Sequence, residues 1–236
     1  MTGRHFGSDQ TRPLEHLVRD PALRAAIAYW DSIRGGRLVP PRMSLDPSEL
    51  RAHLQNAAIL EVPRSGTVRI RLAGGRINAL MGMEVRGMPL RALFDLADRG
   101  RITDATERAL ADPSVLIVDA ISPAPRFGAG PAEQVRTQIA ILPMTDNELA
   151  TTRALYVMSD PVGATGHSEH QHRWSVQSLD MIPIEAGTPI AAVEQVRSHA
   201  PMPMSQPAHA SDTGIEAEER GAFARARFRV IQGGLA

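Results

Sequence analysis

The chain has 236 residues, of which 43% are hydrophobic and 4% aromatic, with no cysteine and a formal net charge of zero. That length suits one domain with extensions or two small domains, around a core of Leu, Ile, Val, Ala and Met. The charge balance argues against a nucleic-acid or membrane-surface partner, and the missing cysteine excludes disulfides, thiolate metal sites, cysteine nucleophiles and cysteine-adduct flavin photochemistry.

Residues 1–20 are polar and read as a flexible start, without the apolar run of a secretory leader. No stretch approaches the ~18 apolar residues of a membrane span, so the expected location is the cytoplasm. Asp20-Pro21 is a helix-start pair, an N-cap followed by proline in the first turn. Leu23, Ala26, Ile27, Trp30 and Ile33 then share one face of an amphipathic helix that Gly35-Gly36 ends. Asp46-Pro47 repeats the start signal and predicts a second helix to about Gln55, with Leu50 and Leu54 inward. Ala57–Val62 and Thr67–Ala73 read as strands of a hairpin turning at Pro63–Gly66. Val68, Ile70 and Leu72 alternate with Arg69 and Arg71, which predicts one buried and one exposed face. Gly74-Gly75 break the strand, read as positions needing positive φ. Short helices follow from Ile77 to about Ala97, punctuated by Gly82 and Gly87, and a further helix spans Ile102–Ala111 with Thr103 or Asp104 as its N-cap. Three strands complete the pattern, at Val115–Ile121, Val135–Met144 and Thr151–Met158. Beyond Pro161 the periodicity decays. Residues 163–236 read as a polar, largely irregular extension with one late strand at 223–231. Two hairpins separated by a helical excursion predict an α+β domain at 21–162 with a single antiparallel sheet.

Three groups of residues carry a resemblance. The first is Tyr29-Trp30-Asp31-Ser32-Ile33-Arg34-Gly35-Gly36-Arg37 with Pro40, Pro41 and Arg42. The second is Asp46, Pro47, Glu49 and Arg51. The third is Arg69, Arg71, Leu72, Ala73, Gly74 and Arg76, followed by Gly82 and Gly87. Together they resemble the PAS domain superfamily, and within it a subfamily of small, mostly uncharacterised bacterial proteins that share this YW…RGGR…PPR opening. The similarity covers roughly residues 20–162, and Arg229–Gly234 is similar to the end of some relatives. The resemblance implies a five-stranded antiparallel sheet, with short helices covering one face and an N-terminal amphipathic helix beside it. It also implies a role as a sensory or interaction module in signalling, without naming a ligand.

On that arrangement Ile70 and Leu72 face Ile77, Leu80, Met81, Leu93 and Phe94, with Ile117, Ile139, Ile141, Leu155 and Val157 on the opposing sheet face. These residues are the candidate ligand pocket, and a filled core is written with the same residues. Met81, Met83 and Met88 add adaptable side chains. No cofactor is expected. Haem lacks an axial histidine, since the only histidine between residues 20 and 165 is His53, and flavin or nucleotide binding lacks a phosphate cradle, which Gly74-Gly75 does not supply. His167, His170 and His172 have metal-ligand spacing in a polar stretch, and no metal is expected there either. Arg69, Arg71 and Arg76, with Arg64 nearby, form a candidate anion patch against the alternative of a solvated sheet face. Catalysis finds no support. There is no nucleophile elbow or zinc-protease motif, and Asp95 and Asp98, at i and i+3 on an expected helix, carry no sign of burial. The expected function is a non-catalytic regulatory module acting through ligand binding and protein contact on an unknown downstream signalling protein. Leu23, Ile27 and Trp30 are the expected homodimer or partner surface. The alternative is a pure dimerisation module with a filled core.

Overall fold

In a computed structural model, residues 14–63, 67–122, 135–146, 150–161 and 172–190 are described. Residues 14–20, expected to belong to a flexible start, instead form helix α1 (Leu14–Leu17) with Leu14, Leu17 and Val18 buried, and α2 (Pro21–Arg34) follows. Helix α2 starts where its sequence says it should: Leu23 N–H donates to the Asp20 carboxylate at 2.8 Å, and Pro21 opens the first turn. It ends at Gly35, whose φ of 58° is the left-handed C-cap that glycine adopts without cost. Strands β1 (Ala57–Glu61) and β2 (Arg69–Ala73) form the expected antiparallel pair. Helix α3 (Gly75–Met81), two 3₁₀ turns at Leu90–Leu93 and Leu96–Asp98, and helix α4 (Arg99–Ala111) make up the helical excursion. Strands β3 (Ser114–Ser122), β4 (Val135–Met144), β5 (Arg153–Met158) and β6 (Ser175–Pro183) complete one antiparallel sheet in the order β2-β1-β5-β4-β3-β6.

The α+β class and the antiparallel sheet are as expected; the sheet has six strands where five were expected. The sixth lies beyond residue 162, in the stretch read as irregular. Its sequence, SVQSLDMIP, alternates weakly, and a bulge at Asp119/Ala120 shifts its register against β3. The expected helix at 47–55 is instead a run of turns ending in a 3₁₀ turn at Leu54–Asn56. Asp46 serves a local turn, accepting from Ser48 N–H at 2.8 Å. Helix α4 starts three residues before Ile102, so Thr103 and Asp104 lie inside it and neither caps it. The expected strand at 223–231, together with His167 and His170, lies outside the described residues.

The sheet is covered on both faces. Helices α3 and α4 and the 3₁₀ turns enclose one core, which includes Leu60, Ile70, Phe94, Leu116, Val118, Ile139 and Ile141. Helix α2 encloses the other, which includes Ile59, Ile117, Ala140, Leu142, Leu155 and Val157. Central strands buried on both sides read as continuous apolar runs, as β3, β4 and β5 do.

This two-sided burial overturns the proposed partner surface. Leu23, Ile27 and Trp30 are each 1% exposed or less and lie inside the α2 core. The Trp30 indole N–H also donates to the Pro143 carbonyl at 3.0 Å. The apolar stripe of α2 is therefore used within the chain.

The turn after α2 is held by a buried charge. All five N–H donors of the Arg34 guanidinium have acceptors. Nε and Nη2 donate to Asp31 Oδ1 at 2.8 and 2.6 Å, Nη1 to the carbonyls of Arg37 and Glu185 at 2.8 and 3.0 Å, and Nη2 also to the Thr188 carbonyl at 2.6 Å. Asp31 Oδ2 accepts from Ile190 N–H at 3.1 Å. Gly35 and Gly36, at φ 58° and 79°, fold the backbone back so that the Arg37 carbonyl reaches the guanidinium. The Arg34-Gly35-Gly36-Arg37 motif is thus a clamp that seats residues 185–190 against α2.

Gly74 does a different job from the one expected. Its φ is −70°, open to any residue. A Cβ there would lie 2.1 Å from the Leu54 carbonyl oxygen and 2.3 Å from that of Gln55. Close backbone approach, not left-handed geometry, requires this glycine.

Arg34→Met leaves Asp31 buried without its cation, and urea unfolding is expected to show a loss of about 3–5 kcal/mol. Ile27→Ala is expected to cost about 2–5 kcal/mol by the same measurement, with no change of oligomeric state in light scattering.

Candidate functional site

The core between the sheet and α3–α4 is where the candidate pocket residues are expected to meet. Ile77, Leu80 and Met81 face it from α3, and Leu93 and Phe94 from the chain before α4. Ile70, Ile139 and Ile141 face it from the sheet. The structure brings these eight expected residues into one core. The remaining four lie elsewhere. Ile117, Leu155 and Val157 point to the α2 side, as their register requires, because Leu155 pairs with Leu142 and Ile117 with Ala140. Leu72 is 49% exposed. A bulge pairs Leu60 with Ile70 but Ile59 with Leu72, so Arg71 is the extra residue and Leu72 turns to the other face. Of the methionines, Met81 is buried, Met88 packs partly against the core and Met83 is largely exposed.

The register also turns Ala154, Tyr156 and Met158 of β5 toward this interior. Tyr156 sits at the centre of the sheet, paired with Ala58 on one side and Ile141 on the other. It is fully buried, and its hydroxyl has no hydrogen-bond partner among the described residues. Burial alone pushes the phenol well above its ordinary value near 10, so it stays protonated and offers an O–H donor inside an apolar shell. Sequence reasoning missed it because every position from Ala154 to Met158 is apolar or aromatic, and such a run has no phase. The only signal available was that Tyr156 is the one side chain in the run with a polar tip.

Trp174 was also missed. It is 2% exposed, belongs to the same core, and stands 6.5 Å from the His172 ring in a near-parallel stack. His172, expected in a solvated stretch, is 6% exposed with Nδ1 3.0 Å from the Ser122 hydroxyl. Asp95 and Asp98 do not share a helix face. Asp95 accepts from the Ser175 hydroxyl, and Asp98 from Val176 N–H at 2.9 Å, so both carboxylates hold the start of β6.

The arginines of the expected anion patch turn to separate partners. Arg69 Nη1 donates to the Gly87 carbonyl at 3.1 Å, Arg71 lies 3.7 Å from Glu61, and Arg76 is exposed on α3.

The other face carries a cleft of about 680 Å³ beside the start of α2, lined in part by Arg19, Asp119, Arg136, Gln138 and Ser159. Its buried groups satisfy one another. Gln138 Oε1 accepts from Arg19 N–H at 2.7 Å, and its Nε2 donates to the Leu17 carbonyl at 2.9 Å and to Asp119 at 2.8 Å. Asp119 also pairs with Arg19 at 2.5 Å and accepts from the Ser178 hydroxyl at 3.0 Å. These bonds fix the entry of the chain into α2. No group of three or more potential metal ligands occurs among the described residues. No helix among them is long and apolar enough to cross a membrane.

The family model for the PAS domain matches residues 18–159. The chain belongs to the PAS domain family. Its class is therefore that of sensory and signalling modules. No curated protein matches the sequence. A solved structure described as that of an RNA-binding light-oxygen-voltage receptor is similar at 18% identity and a TM-score of 0.34, over 52% of this chain and 36% of that one. The chain thus spans about a third of that receptor's length. The family match ends at residue 159, before β6, so the strap of residues 172–190 lies outside it.

One titration follows from the outer face of this PAS domain. Burial pushes the His53 imidazole below its ordinary value near 6.5, against the opposing pull of Asp20 and Asp160. The unfolded chain therefore takes up this proton first as pH falls. The contribution of neutral His53 is fully present above about pH 6.5 and is lost as pH drops through the lower folded value. Between pH 6.5 and 5.5 the melting temperature of the native chain is expected to fall further than that of His53→Gln, as followed by circular dichroism.

Proposed function

We propose that this PAS domain is a non-catalytic sensor whose interior, between the sheet and α3–α4, takes a small and mainly apolar ligand bearing one hydrogen-bond acceptor. The buried, unpartnered hydroxyl of Tyr156 carries this reading. A buried donor left without a partner costs about 1–3 kcal/mol, and an acceptor on a ligand removes that cost. The surrounding side chains supply the apolar fit, with Leu80, Met81, Leu93 and Phe94 above and Ile70, Ile139 and Ile141 below. Unbranched Met81 adapts its shape to the guest.

Within the superfamily, the YW…RGGR…PPR opening assigns the chain to the small bacterial PAS-like group that shares it, acting in the cytoplasm. No cofactor is proposed, and no metal role is assigned to the histidines at 167–172. The proposed module comprises residues 21–162 together with the β6 strap, and α1 packs into its α2 core. Output passes by protein contact to a downstream signalling partner. A homodimer remains part of the proposal, through a surface other than the buried stripe of α2.

Native mass spectrometry of freshly purified protein, paired with Tyr156→Phe, tests the ligand. A retained small molecule that Tyr156→Phe loses or holds about tenfold more weakly is the expected result. In ligand-stripped protein the same substitution is expected to raise the melting temperature, because it deletes an unsatisfied donor. A ligand-free chain showing no thermal shift with a panel of small metabolites, and whose Tyr156→Phe variant is destabilised, sinks the ligand and favours a filled interaction module.

A further inference from the structure

Residues 172–176 form a clasp on the cover of the interior. His172 N–H donates to the Leu80 carbonyl at 2.8 Å, at the end of α3. The Arg173 guanidinium donates to the Ala92 carbonyl at 2.6 Å. Trp174 N–H donates to Leu93 at 2.9 Å, and its carbonyl accepts from Asp95 N–H at 3.0 Å. The Ser175 hydroxyl and Val176 N–H then bind the Asp95 and Asp98 carboxylates. Every one of these bonds joins the start of β6 to the segment Leu80–Asp98, and the Trp174 ring enters the same core as Tyr156.

The opposite end of β6 is fixed to the other layer. Ile184 N–H donates to the Pro113 carbonyl at 3.0 Å, and Gly187 N–H to the Gly36 carbonyl at 2.9 Å. The buried Asp31–Arg34 pair holds Glu185, Thr188 and Ile190, and Ile184 and Ile190 enter the α2 core. One strand, paired along its length with β3, thus touches both cores and is fastened to a different helical layer at each end. Apart from the one bulge at Asp119/Ala120, the pairing with β3 runs unbroken from Ser175 to Pro183 and joins the two fastened ends.

We propose that β6 is the signalling element of this domain: the clasp at residues 172–176 follows the state of the cover Leu80–Asp98, and β6 passes that state to residues 184–190 on the C-terminal end of α2. The two states are the closed clasp described above and an open one in which Trp174 leaves the core. As the regulation of the interior site this rests on the sensory reading, but the mechanical coupling stands on the bonds alone. Coupling of this kind is reciprocal, so loosening either end must loosen the other.

The test is hydrogen exchange by mass spectrometry on the full chain, with no ligand added. Asp95→Ala/Asp98→Ala removes the two carboxylates of the clasp. Exchange is expected to rise about tenfold or more in residues 80–98 and 172–176, and also in 184–190, with the central strands β4 and β5 unchanged. Asp31→Asn, at the far end, is expected to raise exchange in 172–176 in return. Ser175→Ala, which removes one bond only, serves if the double variant fails to fold, and the same pattern at smaller amplitude is expected. The chain has two tryptophans, so Trp30→Phe leaves Trp174 as the sole reporter. Its acrylamide quenching is expected to increase when the clasp residues are substituted. Exchange that rises at 172–176 while 184–190 stays at the native rate overturns the proposal, as does an Asp31→Asn effect confined to 184–190. Tyr156 is untouched throughout, so failure of the coupling and failure of the ligand are read in separate experiments.

Discussion

The guanidinium of Arg34 is the constraint around which the outer layer of this PAS domain is built. A buried cation is tolerable only when its partners are complete, because an unpaired charge in a low-dielectric interior costs several kcal/mol. Here one carboxylate and three backbone carbonyls use all five donors, while Asp31 uses its second oxygen on Ile190 N–H. The acceptors come from three places in the chain: α2 itself, the glycine turn after it, and residues 185–190 far away in sequence. The pair therefore specifies more than it stabilises. It dictates the reversal at Gly35-Gly36, the seating of the segment after β6, and through that segment the sixth strand itself.

The sheet is the partition between two apolar cores of different character. The α2 side is closed by aliphatic side chains and Trp30, whose one polar atom is bonded. The α3–α4 side contains a phenol whose polar atom is not. The proposed guest would satisfy that phenol, whereas the described residues of the α2 core offer no such vacant donor. The carboxylates of Asp95 and Asp98 belong to the same picture. They hold the cover to a strand, Asp95 through the Ser175 hydroxyl and Asp98 through Val176 N–H.

Much of the fold was legible because the local signals were strong. Asp20-Pro21 and Gly35-Gly36 delimit α2 to the residue, Gly82 and Gly87 mark left-handed positions at φ 64° and 80°, and β4 begins and ends where its apolar run does. The candidate interior was half legible. Residues on the helical cover could be placed by helical spacing, so Ile77, Leu80, Met81, Leu93 and Phe94 fell where expected. Residues on β3 and β5 could not, since strands apolar on both faces lose the alternation that sets phase. Ile117, Leu155 and Val157 were displaced by one position of register, and the same shift hid Tyr156. Leu72 failed for another reason, a single bulged residue at Arg71.

By itself the sequence determined the class: an antiparallel sheet interrupted by a helical excursion, opened by a capped amphipathic helix, in a chain without thiols. These follow from periodicity, capping chemistry and composition, which act within a few residues. Only the tertiary structure decided which layer each apolar face belongs to, and it gave the stripe of α2 to the chain's own core. It also decided that a polar stretch after residue 170 supplies an edge strand. That strand pairs its backbone with β3, while Asp95 and Asp98 hold its start and Arg34 holds the residues just after it, all remote in sequence.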